Sequence, residues 1–144
     1  WGQGGSRSRR FCQSGRMGAV LDGVLTHLLR DLAATGGPIA GIDWASWAEA
    51  ERDSATLYGV DGAGVGVAVT VKAEPQAQLV ELAEQVQEWA VEALWHQQRP
   101  ATWPQCPRHP NTHPLTARLV SQRAVWICGA ERVVIAPVGA LSRT

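Results

Sequence analysis

Two stretches of the chain repeat their apolar residues at helical spacing and one repeats them at strand spacing. Over 18–34, Val20, Leu21, Val24, Leu25, Leu28, Leu29 and Leu32 fill one half of a helical wheel, with Asp22, Thr26, His27 and Arg30 opposite. Gly36, Gly37 and Pro38 follow at once and predict the stop. Over 76–98, Leu79, Leu82, Val86, Trp89 and Ala93 keep a three-to-four spacing that Ala83, Ala90 and Leu94 widen, while Glu81, Glu84, Glu88 and Glu92 run down the far side. Pro75 sits in the first turn, where its missing N–H costs nothing. Trp95 breaks the pattern, because it falls beside Glu84 and Glu88, away from the apolar stripe. An aromatic so placed wants cover, which the segment from Trp103 onward is expected to supply, with Arg108 or Arg123 paired to Glu88 or Glu92.

Strand spacing governs 55–72. Val65, Val67, Val69 and Val71 alternate with Gly64, Gly66, Ala68 and Thr70, so 55–60 and 63–72 predict a hairpin joined by Asp61-Gly62, with a valine face buried. The opposite face is nearly bare and would let another backbone or a partner come close. The glycines do not make a phosphate loop, since the third arrives one residue early for G-x-G-x-x-G and no G-K-[ST] follows. Asp43 is placed to cap a short helix over 43–52 that puts Trp44 and Trp47 on one side, as core. Near the C-terminus 118–121, 124–128 and 133–136 read as short strands. The expected class is α+β: an N-terminal helix, a small antiparallel hairpin, a long helix and a C-terminal β-rich module resembling a metal knuckle.

With 144 residues, 45% hydrophobic and 18% charged, the chain can build one modest core and a small appendage. Seven tryptophans against one Tyr and one Phe are expected to dominate burial. The formal net charge of +0 hides an asymmetry: 17–102 carries 4 basic and 12 acidic residues, or −8, whereas 103–144 carries 5 Arg and one Glu, or +4. Such parts can dock on each other or serve as separate binding faces. The leader 1–16 holds Arg7, Arg9, Arg10 and Arg16 but neither an apolar face nor a secretory core; it reads as separable, with Met17 the natural start, or as a basic arm for nucleic acid. No apolar run is long enough to cross a membrane.

The chemistry gathers in 103–128. Cys106, His109, His113 and Cys128 are spaced C-x2-H-x3-H-x14-C, and two thiolates with two imidazoles form a ligand set that tetrahedral zinc prefers. Pro107, Pro110 and Pro114 stiffen the loop and present its donors from a non-helical turn. Those prolines exclude the two-Cys, two-His finger whose histidines ride a helix. No H-x-E precedes the cysteines, which excludes a zinc deaminase, and there is no H-E-x-x-H. The same residues are compatible with an unliganded loop, or with Cys106 as a nucleophile beside a histidine. Cys12 is left over, so there is no disulfide framework and a reducing, cytoplasmic setting is the default.

The stretches Glu88 to Trp95 (E-W-A-V-E-A-L-W), Trp103 to His109 (W-P-Q-C-P-R-H), His113 to Leu115 (H-P-L), Ala124 to Cys128 (A-V-W-I-C) and Val138 to Leu141 (V-G-A-L) resemble a group of small proteins from high-GC bacteria with no assigned activity. The resemblance covers about a third of the chain and implies a single helix-plus-knuckle unit. One departure is that Gly129, not Pro, follows Cys128. The expected organisation is therefore a leader (1–16), an α+β core (17–102) and a zinc-knuckle-like module (103–144) packed on it. The expected function is a non-catalytic interaction or regulatory module with structural zinc and a protein partner. Trp95, Trp103, Trp126, Arg108 and Arg123 are its expected binding residues. Two rivals stand beside it: nucleic-acid binding through Arg108, Arg118, Arg123 and Arg132 with Trp103 or Trp126 as a stacking surface, and a metal- or Cys-dependent enzyme.

Overall fold

The computed structural model describes residues 19–45 and 51–142. The leader 1–16 and residues 46–50, Trp47 included, lie outside the described residues; at the ends of the helix expected over 43–52, Asp43 closes one strand, Arg52 opens another, and Trp44 is exposed rather than core. In chain order the elements are helix α1 (Ala19–Ala34), strands β1 (Gly41–Asp43), β2 (Arg52–Tyr58) and β3 (Gly64–Thr70), helix α2 (Pro75–His96), and strands β4 (Thr116–Val120), β5 (Arg123–Cys128) and β6 (Val133–Pro137). The strands form two antiparallel three-stranded sheets, ordered β1-β2-β3 and β4-β5-β6. The chain is thus α+β, with the first sheet one strand larger than a hairpin. That strand is β1, whose last residue is Asp43, the expected helix cap; three residues carry too little alternation to show.

Local signals set the helix ends. Helix α1 closes with Gly36 at φ 69°, the Gly37 N–H donating to the Leu32 carbonyl and the Gly36 N–H to that of Ala33, a left-handed stop that glycine makes without strain. Its start is held from outside the helix, because Asp53 Oδ2 accepts the N–H groups of Val20 (3.1 Å) and Leu21 (3.2 Å). A carboxylate there satisfies free donors and opposes the helix dipole. Helix α2 ends in the same bonding pattern, with Gln98 rather than glycine in the left-handed position (φ 58°).

The β2–β3 connection is a five-residue loop, 59–63, in place of the expected two-residue turn. Gly62 (φ 86°) donates to Gly59, and Asp61 Oδ1 accepts from the Ala63 N–H, so the aspartate's own side chain shapes a wider bend. Val67 and Val69 are fully buried, as the alternation required. The bare face is not open to a partner at Gly64: a Cβ there would stand 2.6 Å from Tyr58 Cε1 and 2.9 Å from Thr56 Cγ2. Neighbouring side chains on β2 fill the space.

Helix α2 occupies the centre, packed on α1, β3, β4 and β5. It also closes the outer edge of β3. Gln85 both accepts the Ala68 N–H (2.8 Å) and donates to the Ala68 carbonyl (2.7 Å), Glu81 accepts the Thr70 N–H, and Gln78 donates to the carbonyls of Thr70 and Val71. An edge so paired cannot recruit another strand along that stretch. Gln76 and Gln87 face the other way, Gln76 accepting the Ala124 N–H and Gln87 donating to the carbonyls of Trp103 and Leu115. One core runs from Leu25 and Leu28 through Val86 and Trp89 to Trp103, Leu115 and Trp126.

No ion pair among the described residues joins 19–102 to 103–142. What ties them is packing, the Gln76 and Gln87 hydrogen bonds, the bond from Trp103 to Thr35, and one buried carboxylate. Asp31 of α1 accepts from Trp126 Nε1 (2.8 Å), the Gly139 N–H (2.7 Å) and the Leu141 N–H (3.0 Å), and is fully buried. Burial raises its pKa, outweighing the lowering by Trp126, by the backbone donors of Leu141 and Gly139, and by His27.

Candidate metal centre

The loop 105–114 is pinched at its base by a bridge between Gln105 and Pro114 and by the Leu115 N–H bonding to the Pro104 carbonyl (2.8 Å). Inside it, turns bring the His109 N–H onto the Cys106 carbonyl and the Thr112 N–H onto the His109 carbonyl, with Asn111 left-handed at φ 59°. Three donor side chains therefore converge from one short stretch. The fourth, Cys128, closes β5, beside the turn that leads into β6.

Cys106 Sγ, His109 Nδ1, His113 Nε2 and Cys128 Sγ all lie within 4.8 Å of one another. His109 Nδ1 is 3.5 Å from each sulfur, His113 Nε2 is 3.8 Å from Cys128 Sγ, and the two ring nitrogens are 3.2 Å apart. A tetrahedral ion with bonds of about 2.3 Å to sulfur and about 2.0–2.1 Å to nitrogen sets sulfur–nitrogen edges near 3.5 Å and nitrogen–nitrogen edges near 3.3 Å. The three edges at His109 and the edge from His113 to Cys128 match such an ion, and the other two lie within 4.8 Å. Both cysteines are free of disulfide and fully buried, while both histidines are half-buried.

Each imidazole is fixed by a partner on its other nitrogen. His113 Nδ1 meets the Pro114 carbonyl at 2.9 Å, and His109 Nε2 meets Glu131 Oε2 at 3.0 Å. A carbonyl or carboxylate can only accept, so the proton sits on that nitrogen and a lone pair on the other faces the thiolates. Glu131 is held in turn by Arg108, whose Nε donates to its Oε1 at 2.6 Å. Sequence spacing missed Glu131, although it is the sole carboxylate in 103–144 and stands three residues past Cys128.

The expected binding residues part company. Trp103 is buried, its Nε1 donating to Thr35 Oγ1 (2.9 Å) and its ring edge-to-face with Trp126 at 5.7 Å. Trp126 is fully buried, so neither ring offers a stacking face. Arg108 serves Glu131 instead of a helix glutamate, and Arg123 is exposed on β5. Trp95 is 71% exposed, against the expectation of cover. The reason is the path after α2: the chain turns at Gln98 toward α1, where Arg99 Nη2 donates to the Gly36 carbonyl, and Trp103 takes the sheltered place beside Gly37. Two small features define the class of molecule at this point: an α+β chain in which a pinched loop and a hairpin end bring together a Cys2His2 cluster able to hold a metal ion. Comparison with protein-family models, with curated proteins and with solved structures gives no match.

Proposed function

We propose that the chain is a non-catalytic interaction module whose 103–144 part is stapled by one structural zinc ion on Cys106, His109, His113 and Cys128. The carrying observation is the donor geometry: two sulfurs and two nitrogens within 4.8 Å of one another, with the three edges at His109 and the His113–Cys128 edge at 3.2–3.8 Å and both cysteines sealed from water. Two thiolates and two neutral imidazoles complete the four-coordinate shell that zinc favours, leaving no position for a reacting water. Glu131, the nearby carboxylate, is committed to His109 and Arg108, which suits orientation of a ligand better than proton transfer. Buried thiolates of this kind persist in a reducing compartment, in keeping with a cytoplasmic protein.

The enzyme alternative is weakened by the closed donor set, and the nucleic-acid alternative by the burial of both tryptophans it needed. Elemental analysis of purified protein tests the proposal: one zinc per chain is expected, lost in Cys128→Ser. Metal-free protein with an unchanged melting temperature would overturn it.

A further inference from the structure

Two surfaces carry chemistry that the fold does not use. On α2, Glu84, Glu88 and Glu92 form one exposed row at four-residue spacing, and none has a hydrogen-bond or ion-pair partner among the described residues. One turn further on stands Trp95, and with Val91, Ala101, Pro114 and Leu115 it lines a largely apolar groove of about 690 Å³. The second surface is the outer face of sheet β4-β5-β6. Register puts Arg118 opposite Val125, Val120 opposite Arg123, and Ile127 opposite both Thr116 and Val134, so these residues share the face turned away from Trp126, with Val125 at its centre buried and Thr116 and Ile127 half-buried. A solvent-facing sheet surface is normally polar. Here Val134 is 51% exposed and Val120 41%, and no carboxylate among the described residues pairs with Arg118 or Arg123.

We propose that the acidic face of α2 on one copy docks on the outer sheet face of a second copy, head to tail. The two surfaces are complementary in both respects that matter: a row of unpaired carboxylates beside a bare indole, and guanidinium groups without a carboxylate partner among the described residues, Arg118 bonded only to the Ala117 carbonyl, beside bare valines. Arg118 and Arg123 meet Glu88 and Glu92, and the Trp95 ring covers Val134 while offering its face to a guanidinium. In a head-to-tail contact each pair of copies leaves one surface of each kind free, and assembly continues past a dimer. Charge pairs this exposed make the contact salt-sensitive. The inference rests on the interaction-module reading and names its partner, but it does not depend on which metal fills the Cys2His2 site.

Sedimentation velocity of the full chain over a concentration series tests it, with metal content measured on the same samples. Species beyond the dimer should grow with concentration and fall back to monomer as salt rises to about 0.5 M. A helix-face variant (Trp95→Ser, Glu88→Ser, Glu92→Ser) and a sheet-face variant (Arg118→Ser, Arg123→Ser, Val134→Thr) should each stay monomeric. Mixed together, each supplies the surface the other lacks, and a one-to-one dimer that cannot grow is expected. Should a triple variant misfold, Trp95→Ser alone is expected to weaken association about tenfold or more. Wild type at monomer mass throughout, a variant associating like wild type, or a mixture that stays monomeric would overturn the proposal. Loss of metal with association intact would instead count against the zinc staple.

Discussion

Glu131 is half of the reason His109 can serve as a ligand, since it fixes which ring nitrogen keeps its proton. Glu131→Gln should weaken metal binding by about 10–100-fold, the usual cost of losing such a partner, with the metal-bound fold retained. Competition with a chromophoric chelator measures this, and unchanged affinity would leave Glu131 a bystander. Cys106→Ser or Cys128→Ser should act more severely, losing the metal and melting 103–144, because ligand bonds and folding are coupled in so small a unit. His113→Ala should be milder, as water can complete the shell. The Arg108–Glu131 pair is itself half exposed, so its contribution is orientation and not appreciable stability.

At the scale of the element, α2 divides its surface into faces with different duties. Leu82, Ala83, Val86 and Ala90 are fully buried in the core, Gln78, Glu81 and Gln85 close the edge of β3, Gln76 and Gln87 hold the second sheet, and Glu84, Glu88, Glu92 and Trp95 are left to solvent. The tryptophans follow suit. Trp95→Ala should change stability by no more than about 0.5 kcal/mol, as for other exposed positions. Trp126→Ala should cost about 3–5 kcal/mol from the emptied volume, and it also removes a donor from buried Asp31. Denaturant midpoints of the two variants decide the matter, and equal losses would contradict this division.

For the whole molecule, Asp31 is the polar tie between α1 and the second sheet. Its carboxyl holds a proton to higher pH when folded than when unfolded, because burial outweighs its hydrogen bonds and His27. Between the ordinary carboxyl value of 3.8 and the raised folded value the native state therefore binds more protons, and stability falls as pH rises. Asp31→Asn lacks this titration. The stability of wild type relative to Asp31→Asn should thus decline with rising pH across that window, and metal effects common to both cancel in the difference. A flat difference would show that the three donors fully offset the burial. Asp31→Ala should cost more than about 2 kcal/mol by leaving buried N–H groups unpaired.

Much of this architecture was legible in local pattern. The apolar periods of α1 and α2, the Gly36-Gly37-Pro38 stop, the valine alternation of β3, the three C-terminal strands and the Cys106–His109–His113–Cys128 spacing are properties of residues close in the chain, and backbone geometry turns such spacing into shape directly. One long-range tie also left a trace, since Asp31 interrupts the apolar stripe between Leu28 and Leu32. Tertiary structure alone decided what the carboxylate was for, which tryptophan was sheltered, which acid would hold His109, and that glutamines rather than glutamates would face the second sheet. Each of those outcomes turns on where the chain travels after a helix or hairpin ends. That path is chosen by the packing of residues as far apart as Trp103 and Thr35, or Leu141 and Asp31, which no local period records.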